Sequence, residues 1–172
     1  MNQTRFTYAL SLVPLLLACV SPAHSLATSP IDVLRASNAT LHRFALDNGM
    51  IGLVKEDRSA PVVAVQIWVG TGAIHEEEYL GGGLSHYLEH MLFKGTTNRP
   101  PGNISKEIDG AGGDINAYTS YDRTVYHTTL PSDQWRVGLD VLGDAMMNAN
   151  FPEEEWLRER EVVLREVAMG KD

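Results

Sequence analysis

The sequence predicts an α+β fold in which helices pack on an antiparallel sheet. Strand-like segments occur in pairs joined by short turns, and apolar segments with the period of a helix follow them. About 145 residues follow residues 1–27, which is enough for one hydrophobic core. We therefore expect a single domain over residues 40–172.

The predicted strands form two pairs and one central strand. Segments 41–46 and 50–54 alternate between polar and apolar residues around Asp47-Asn48-Gly49, which is typical of a hairpin turn. The segment 62–69 is apolar on both faces, which indicates a central strand. Segments 114–119 and 124–130 are predicted to form the second pair.

Four helices are predicted between and after these strands. The first follows the stretch 70–82 and should be largely buried, and a short one covers 104–108. Ser132 is expected to cap a helix over 132–147. The last helix covers 152–169, because Pro152 suits its first turn and the acidic residues after it suit the helix dipole.

The N-terminal residues predict an exported protein. Residues 1–27 have the pattern of a signal peptide, with one positive charge before an apolar run too short for a membrane span. Residues 28–39 are predicted to be a flexible leader. We expect localisation in a bacterial periplasm or secretion. A membrane-anchored lipoprotein is the alternative, because residues 16–19 resemble a lipobox that ends at Cys19.

Charge and cysteine content exclude several kinds of site. The formal net charge of −8 becomes −9 without residues 1–27, and no basic run is present, so nucleic-acid binding is not expected. Cys19 is the only cysteine, which excludes an internal disulfide and a thiolate zinc site. A metal site in this chain would need histidine and carboxylate ligands.

The segment His86-Tyr-Leu-Glu89-His90 has the HxxEH spacing of a catalytic zinc helix. Residues four apart lie on one face of a helix, so His86 and His90 can direct ring nitrogens at one metal ion. Glu89 lies beside them, where it can contact a water without being a ligand. This pattern indicates a metallopeptidase.

A third ligand is expected, because a catalytic zinc usually takes three protein ligands. Glu159 and Glu166 are seven residues apart on the last predicted helix, almost two turns, so they share one face. Val162 and Val163 lie between them on that side, which directs both carboxylates toward the protein interior. The other charged residues of this helix are expected to face solvent.

The run 83–96 and the downstream Glu159-x6-Glu166 helix closely resemble the pitrilysin family, which includes insulin-degrading enzyme and mitochondrial processing peptidase. The shorter processing-peptidase branch is the most similar, and the resemblance covers about residues 41–169. It implies one zinc ion bound by His86, His90 and Glu166. It also implies that Glu89 is the general base and that Glu159 supports the site from behind the ligands.

The resemblance implies a substrate strand and a partner as well. The stretch 112–119 is similar to the family's substrate strand, so Asn116 and Ala117 are expected to contact the peptide backbone. Residues 40–172 would be the incomplete N-terminal half of a clamshell metallopeptidase. A second homologous domain or subunit would then close over the site.

The predicted function is that of a zinc metalloendopeptidase, a hydrolase that cleaves peptides or small unfolded proteins with a zinc-bound water activated by Glu89. One alternative is a non-catalytic structural or assembly subunit of a metallopeptidase-like heterodimer. Another is a binding module in which the histidines are core residues. The sequence does not identify the substrate.

Overall fold

The computed structural model describes residues 6–11 and 41–169. These residues form one six-stranded sheet in the order β2-β3-β1-β4-β6-β5. The strands are β1 (Phe6–Ser11), β2 (Leu41–Ala45), β3 (Ile51–Lys55), β4 (Val62–Val69), β5 (Asp114–Thr119) and β6 (Thr124–Pro131). Neighbouring strands are antiparallel except β1 and β3, which run parallel.

The helices of the described chain pack on this sheet around one core. They are α1 (Leu84–Leu92), α2 (Asn103–Gly110), α3 (Trp135–Asn148) and α4 (Glu153–Ala168). Alternate residues of β4 are buried, and they belong to one hydrophobic cluster with residues of α2 and α3. The central members of that cluster are Val65, Ile67, Ile104, Ile108, Val141 and Leu142. The predicted α+β class, with helices on a mainly antiparallel sheet, is confirmed.

Two strand pairs occur where the sequence predicts them. The hairpin β2-β3 turns at Gly49, whose φ of 84° is readily adopted only by glycine. The pair β5-β6 leaves β5 at the edge of the sheet. That edge lies beside α1, because α1 contacts both β5 and β6.

Two expectations about the helices are wrong. Ser132 begins a short 3-10 turn, and the helix starts at Trp135. The side chain of Ser132 does not cap this helix, and the backbone N–H of Ser132 donates to the Pro61 carbonyl instead. The helix α1 is only half buried, because Leu84 and Leu88 face outward with 52% and 46% of their surface exposed.

Asp144 on α3 ties the segment after α1 to the core. Its buried carboxylate accepts hydrogen bonds from Thr96 (2.6 Å), Asn98 (2.6 Å), Arg99 (2.8 Å) and Asn148 (2.8 Å). Burial opposes ionisation of Asp144, but these donors outweigh it and lower its pKa. The carboxylate is therefore charged and fully paired at neutral pH.

The N-terminal predictions concern a region that is only partly described. Residues 6–11 of the predicted signal peptide form β1, which lies between β3 and β4. The predicted cleavage site, Cys19 and the leader 28–39 lie outside the described residues, so export and lipidation stay predictions. Among the described residues, no helix combines the length and apolar character needed to span a membrane.

Candidate metal centre

Glycines and a buried carboxylate shape the start of α1. Gly81 and Gly83 have φ values of 84° and 72°, a conformation that side chains disfavour, so the loop can turn sharply into the helix. Gly83 offers no side chain as a cap. Glu76 supplies one from the preceding loop, because its Oε1 accepts a 2.7 Å hydrogen bond from the backbone N–H of Ser85. The buried side chain of Glu76 therefore caps the helix that carries the HxxEH motif.

The structure brings His86, His90 and Glu166 together. Nε2 of His86 and Nε2 of His90 are 2.8 Å apart, as the four-residue spacing on one helix predicts. Oε2 of Glu166 on α4 is 3.5 Å from the first nitrogen and 3.6 Å from the second. The three ligand atoms therefore converge on one point from two helices.

This donor set fits a zinc ion. Two imidazole nitrogens and one carboxylate oxygen match the ligands of catalytic zinc sites, which leave a fourth position open. Tetrahedral zinc with bonds of about 2.0–2.1 Å holds its ligand atoms about 3.3 Å apart. The separations of 2.8, 3.5 and 3.6 Å lie on either side of that value. Side-chain movements of a few tenths of an ångström would complete the geometry.

Glu159 lies behind His90 in a chain of three side chains. Its Oε1 is 2.7 Å from Nδ1 of His90, and its Oε2 is 2.7 Å from Nζ of Lys94. Glu159 is 7% exposed. Burial raises its pKa, but the hydrogen bonds from Lys94 and His90 outweigh burial, and the net pKa is lowered. An ionised Glu159 accepts a hydrogen bond from the Nδ1–H of His90, which favours the tautomer whose Nε2 carries no proton and can bind metal.

Glu89 lies near His86, with which it lines one cavity, but it does not belong to the candidate ligand set of His86, His90 and Glu166. It is 8% exposed, and its Oε2 accepts a 2.6 Å hydrogen bond from the hydroxyl of Thr119 on β5. Burial and then the charge of Glu89 raise the pKa of Tyr126, so the phenol stays neutral near this carboxylate. Glu89 is therefore held by β5 and is not one of the three candidate ligands.

An open cavity of about 480 Å³ adjoins these groups. Glu89 and His86 line one side, and residues 117–121 of β5 and the following turn line the other. Asn116 is exposed on the free edge of β5, where its Oδ1 accepts a 2.8 Å hydrogen bond from the N–H of Ala117. The predicted substrate residues therefore lie on a strand edge that no other described strand pairs with, and Ala117 itself lines the cavity.

A contact between aromatic residues fixes α1 against α4. The rings of Tyr87 and Trp156 lie with centroids 4.4 Å apart, and the Tyr87 hydroxyl donates to the Trp156 carbonyl. The same two helices supply His86 and Glu166. The aromatic pair thus helps to set the distance between the two halves of the site.

Sequence reasoning did not identify three residues that contact this site. Lys94 follows His90 by four residues, a spacing that places both on one side of the chain and could have indicated a shared partner. Thr119 could not be found in this way, because its contact with Glu89 depends on how β5 packs. Glu76 belongs to a run of three glutamates and has no distinguishing pattern.

The chain is similar to a known protein family and to individual proteins. Residues 53–172 match the model of the family described as Insulinase (Peptidase family M16). The chain is 35% identical over 132 residues to "Uncharacterized zinc protease YmxG" of Bacillus subtilis, covering 77% of this chain and 32% of that protein. It is 38% identical over 144 residues to "Probable mitochondrial-processing peptidase subunit beta, mitochondrial" of Arabidopsis thaliana, covering 81% of this chain and 27% of that protein.

Solved structures show the same fold. Pitrilysin superposes with a TM-score of 0.70 and 30% identity, covering 78% of this chain and 14% of pitrilysin. The chain therefore spans about a third or less of these relatives. The match to the family model covers most of the chain, and the relatives include proteins named as zinc proteases. The chain belongs to the insulinase family of peptidases, family M16.

Proposed function

We propose that this protein is a zinc-dependent metalloendopeptidase that hydrolyses peptides or small unfolded proteins. The observation that carries the proposal is the convergence of His86, His90 and Glu166 beside a carboxylate that is not a ligand. The cavity next to Glu89 gives a peptide access to these groups. Membership of a peptidase family supports the same reaction class.

The chemistry assigned to each residue follows from its position. His86, His90 and Glu166 would hold the zinc, which when bound lowers the pKa of a water and polarises a carbonyl. Glu89 takes a proton from the attacking water as the new C–O bond forms. It then gives this proton to the amide nitrogen as the C–N bond breaks. One water is consumed, and the products are a carboxylic acid and an amine.

The edge of β5 is the proposed binding surface for the substrate backbone. An extended peptide can add to an open strand edge through main-chain hydrogen bonds, which select shape more than sequence. Asn116 and Ala117 would contact it there. The Ala117 N–H donates a hydrogen bond to the side chain of Asn116. The Asn116 side chain would therefore have to move before this N–H could donate to a substrate.

A second domain or subunit is part of the proposal. The HxxEH face of α1 borders the open cavity that His86 and Glu89 line. We propose that a second homologous half, in the same protein or in a partner subunit, closes over this face. The two relatives described above are longer than this chain, which covers 32% and 27% of them, and this length leaves room for such a half.

Two variants of the complete protein test the proposal. Glu89→Gln should keep zinc and lower kcat by about a thousandfold, because the general base is lost while the ligands remain. His90→Ala should lose zinc, whereas the control His127→Ala on β6 should retain it. Zinc content by atomic absorption and peptide cleavage are the measurements. Unchanged cleavage by Glu89→Gln would reject the mechanism, and wild-type protein that binds zinc without cleaving peptides would favour the non-catalytic subunit.

A further inference from the structure

Lys94 lies just beyond the end of α1 and points at the carboxylate of Glu159. Its Nζ is 2.7 Å from Oε2 of Glu159, and 31% of its side chain is exposed. The opposite oxygen of the same carboxylate is 2.7 Å from Nδ1 of His90. Lys94 and His90 therefore hold Glu159 from two sides, although neither belongs to the helix that carries it.

A carboxylate with one partner can rotate about its terminal bond, whereas a carboxylate held at both oxygens cannot do so without losing a contact. Glu159 is 7% exposed, so water cannot readily replace a lost partner. Fixing Oε2 through Lys94 also fixes Oε1. Since Oε1 is the acceptor for His90, the orientation of the imidazole ring follows from it.

The orientation of His90 decides where its other nitrogen lies. Nε2 of His90 is 2.8 Å from Nε2 of His86, within the cluster that would bind zinc. A rotation of the ring would move this nitrogen away from the point where the three ligand atoms converge. Lys94 is thus connected to the metal site by two contacts, through Glu159 and then His90.

We propose that Lys94 is a positioning residue of the zinc site, which holds Glu159 so that His90 presents Nε2 to the metal. This inference rests on the proposed function, since it requires a zinc ion at the cluster. It goes beyond that function by assigning a role to a residue outside the HxxEH motif and outside the ligand set.

The test measures zinc affinity by chelator competition at one neutral pH, in the full chain. Lys94→Met should weaken zinc binding about tenfold, the lower end of the range for partners of metal ligands. Lys94→Arg should recover most of the affinity because it keeps the charge. Lys106→Met, an exposed lysine on α2, is the matched control and should bind zinc as the wild type does.

A double-mutant comparison separates positioning from simple stabilisation of the fold. In a Glu159→Gln background, Lys94→Met should change zinc affinity by less than about twofold, because its pathway to His90 has already been removed. A purely structural salt bridge would instead lower the unfolding temperature of the zinc-free protein and leave zinc affinity unchanged. Lys94→Ala, which also removes the donor, replaces Lys94→Met if the latter does not fold.

The outcomes distinguish the two proposals. Wild-type protein that binds no zinc would overturn the proposed function. Zinc bound by the wild type and equally well by Lys94→Met would overturn the role of Lys94 alone. Equal losses from Lys94→Met in the wild-type and Glu159→Gln backgrounds would also overturn it, because Lys94 would then act by a route other than Glu159.

Discussion

The hydroxyl of Thr119 on β5 donates a 2.6 Å hydrogen bond to Oε2 of Glu89 on α1. This bond connects the strand proposed to bind substrate with the residue proposed to transfer the proton. The two residues are 30 positions apart, so the contact exists only because α1 packs against β5. A substrate bound along β5 would therefore lie next to a carboxylate whose orientation β5 itself determines.

Thr119→Val should lower kcat about tenfold and leave zinc content unchanged. The substitution keeps the shape of the side chain but removes the donor that orients Glu89, and a tenfold change corresponds to about 1.4 kcal/mol. Steady-state kinetics on a fluorogenic peptide, with zinc measured in parallel, checks this. Thr119→Ser keeps a hydroxyl and should retain most of the activity. Equal kcat values for the serine and valine variants would show that the hydrogen bond from Thr119 to Glu89 does not affect the rate.

Glu76→Ala should destabilise the protein by roughly 2 kcal/mol, because the N–H of Ser85 would lose a charged acceptor at the start of α1. Urea unfolding monitored by circular dichroism is the measurement. Glu76→Gln can still accept the bond and should cost less, since it loses only the charge at the helix N-terminus. The exposed Glu78→Ala is the control, and a loss of stability equal to that of Glu76→Ala would contradict a capping role for Glu76.

The network around Asp144 should make folding sensitive to acid. The pKa of Asp144 is lowered in the folded state, so its contribution to stability is complete above its unfolded pKa of about 3.9 and is lost as pH falls toward the folded pKa. The loss should therefore occur below about pH 4. Protonation of Asp144 would remove the charge that faces Arg99.

Asp144→Asn should lower the free energy of unfolding by about 3 kcal/mol at neutral pH, because it removes the negative charge that pairs with Arg99 in a buried network. The difference from the wild type should shrink between pH 4 and pH 2. Urea titrations at several pH values, with a chelator present to remove metal effects, test this. The exposed Asp109→Asn serves as control, and a constant difference at every pH would contradict the linkage.

Local rules predicted most of the site. The four-residue spacing of His86 and His90 and the seven-residue spacing of Glu159 and Glu166 are properties of a helix, so the sequence was sufficient to place each pair on one face. The convergence of the two pairs was inferred from a family resemblance, and the structure shows the ligand atoms within 3.6 Å of one another. The fold class followed from the strand pairs in the same way.

Contacts between elements were not predictable by these rules. Thr119 reaches Glu89 only after β5 is placed beside α1, and Ser132 could not be excluded as a cap until its N–H was seen to pair with Pro61. The exposure of Leu84 and Leu88 was also missed, because an apolar residue on a helix does not reveal whether the chain itself covers it.

The residues proposed to bind zinc come from α1 and α4, the first and last helices of the described chain. During synthesis, His86 and His90 emerge well before Glu166, and no complete ligand set exists until α4 has docked. The proposed zinc site would thus form only when α4 packs against α1. Metal capture would therefore report that these two helices, which lie far apart in the sequence, have come together.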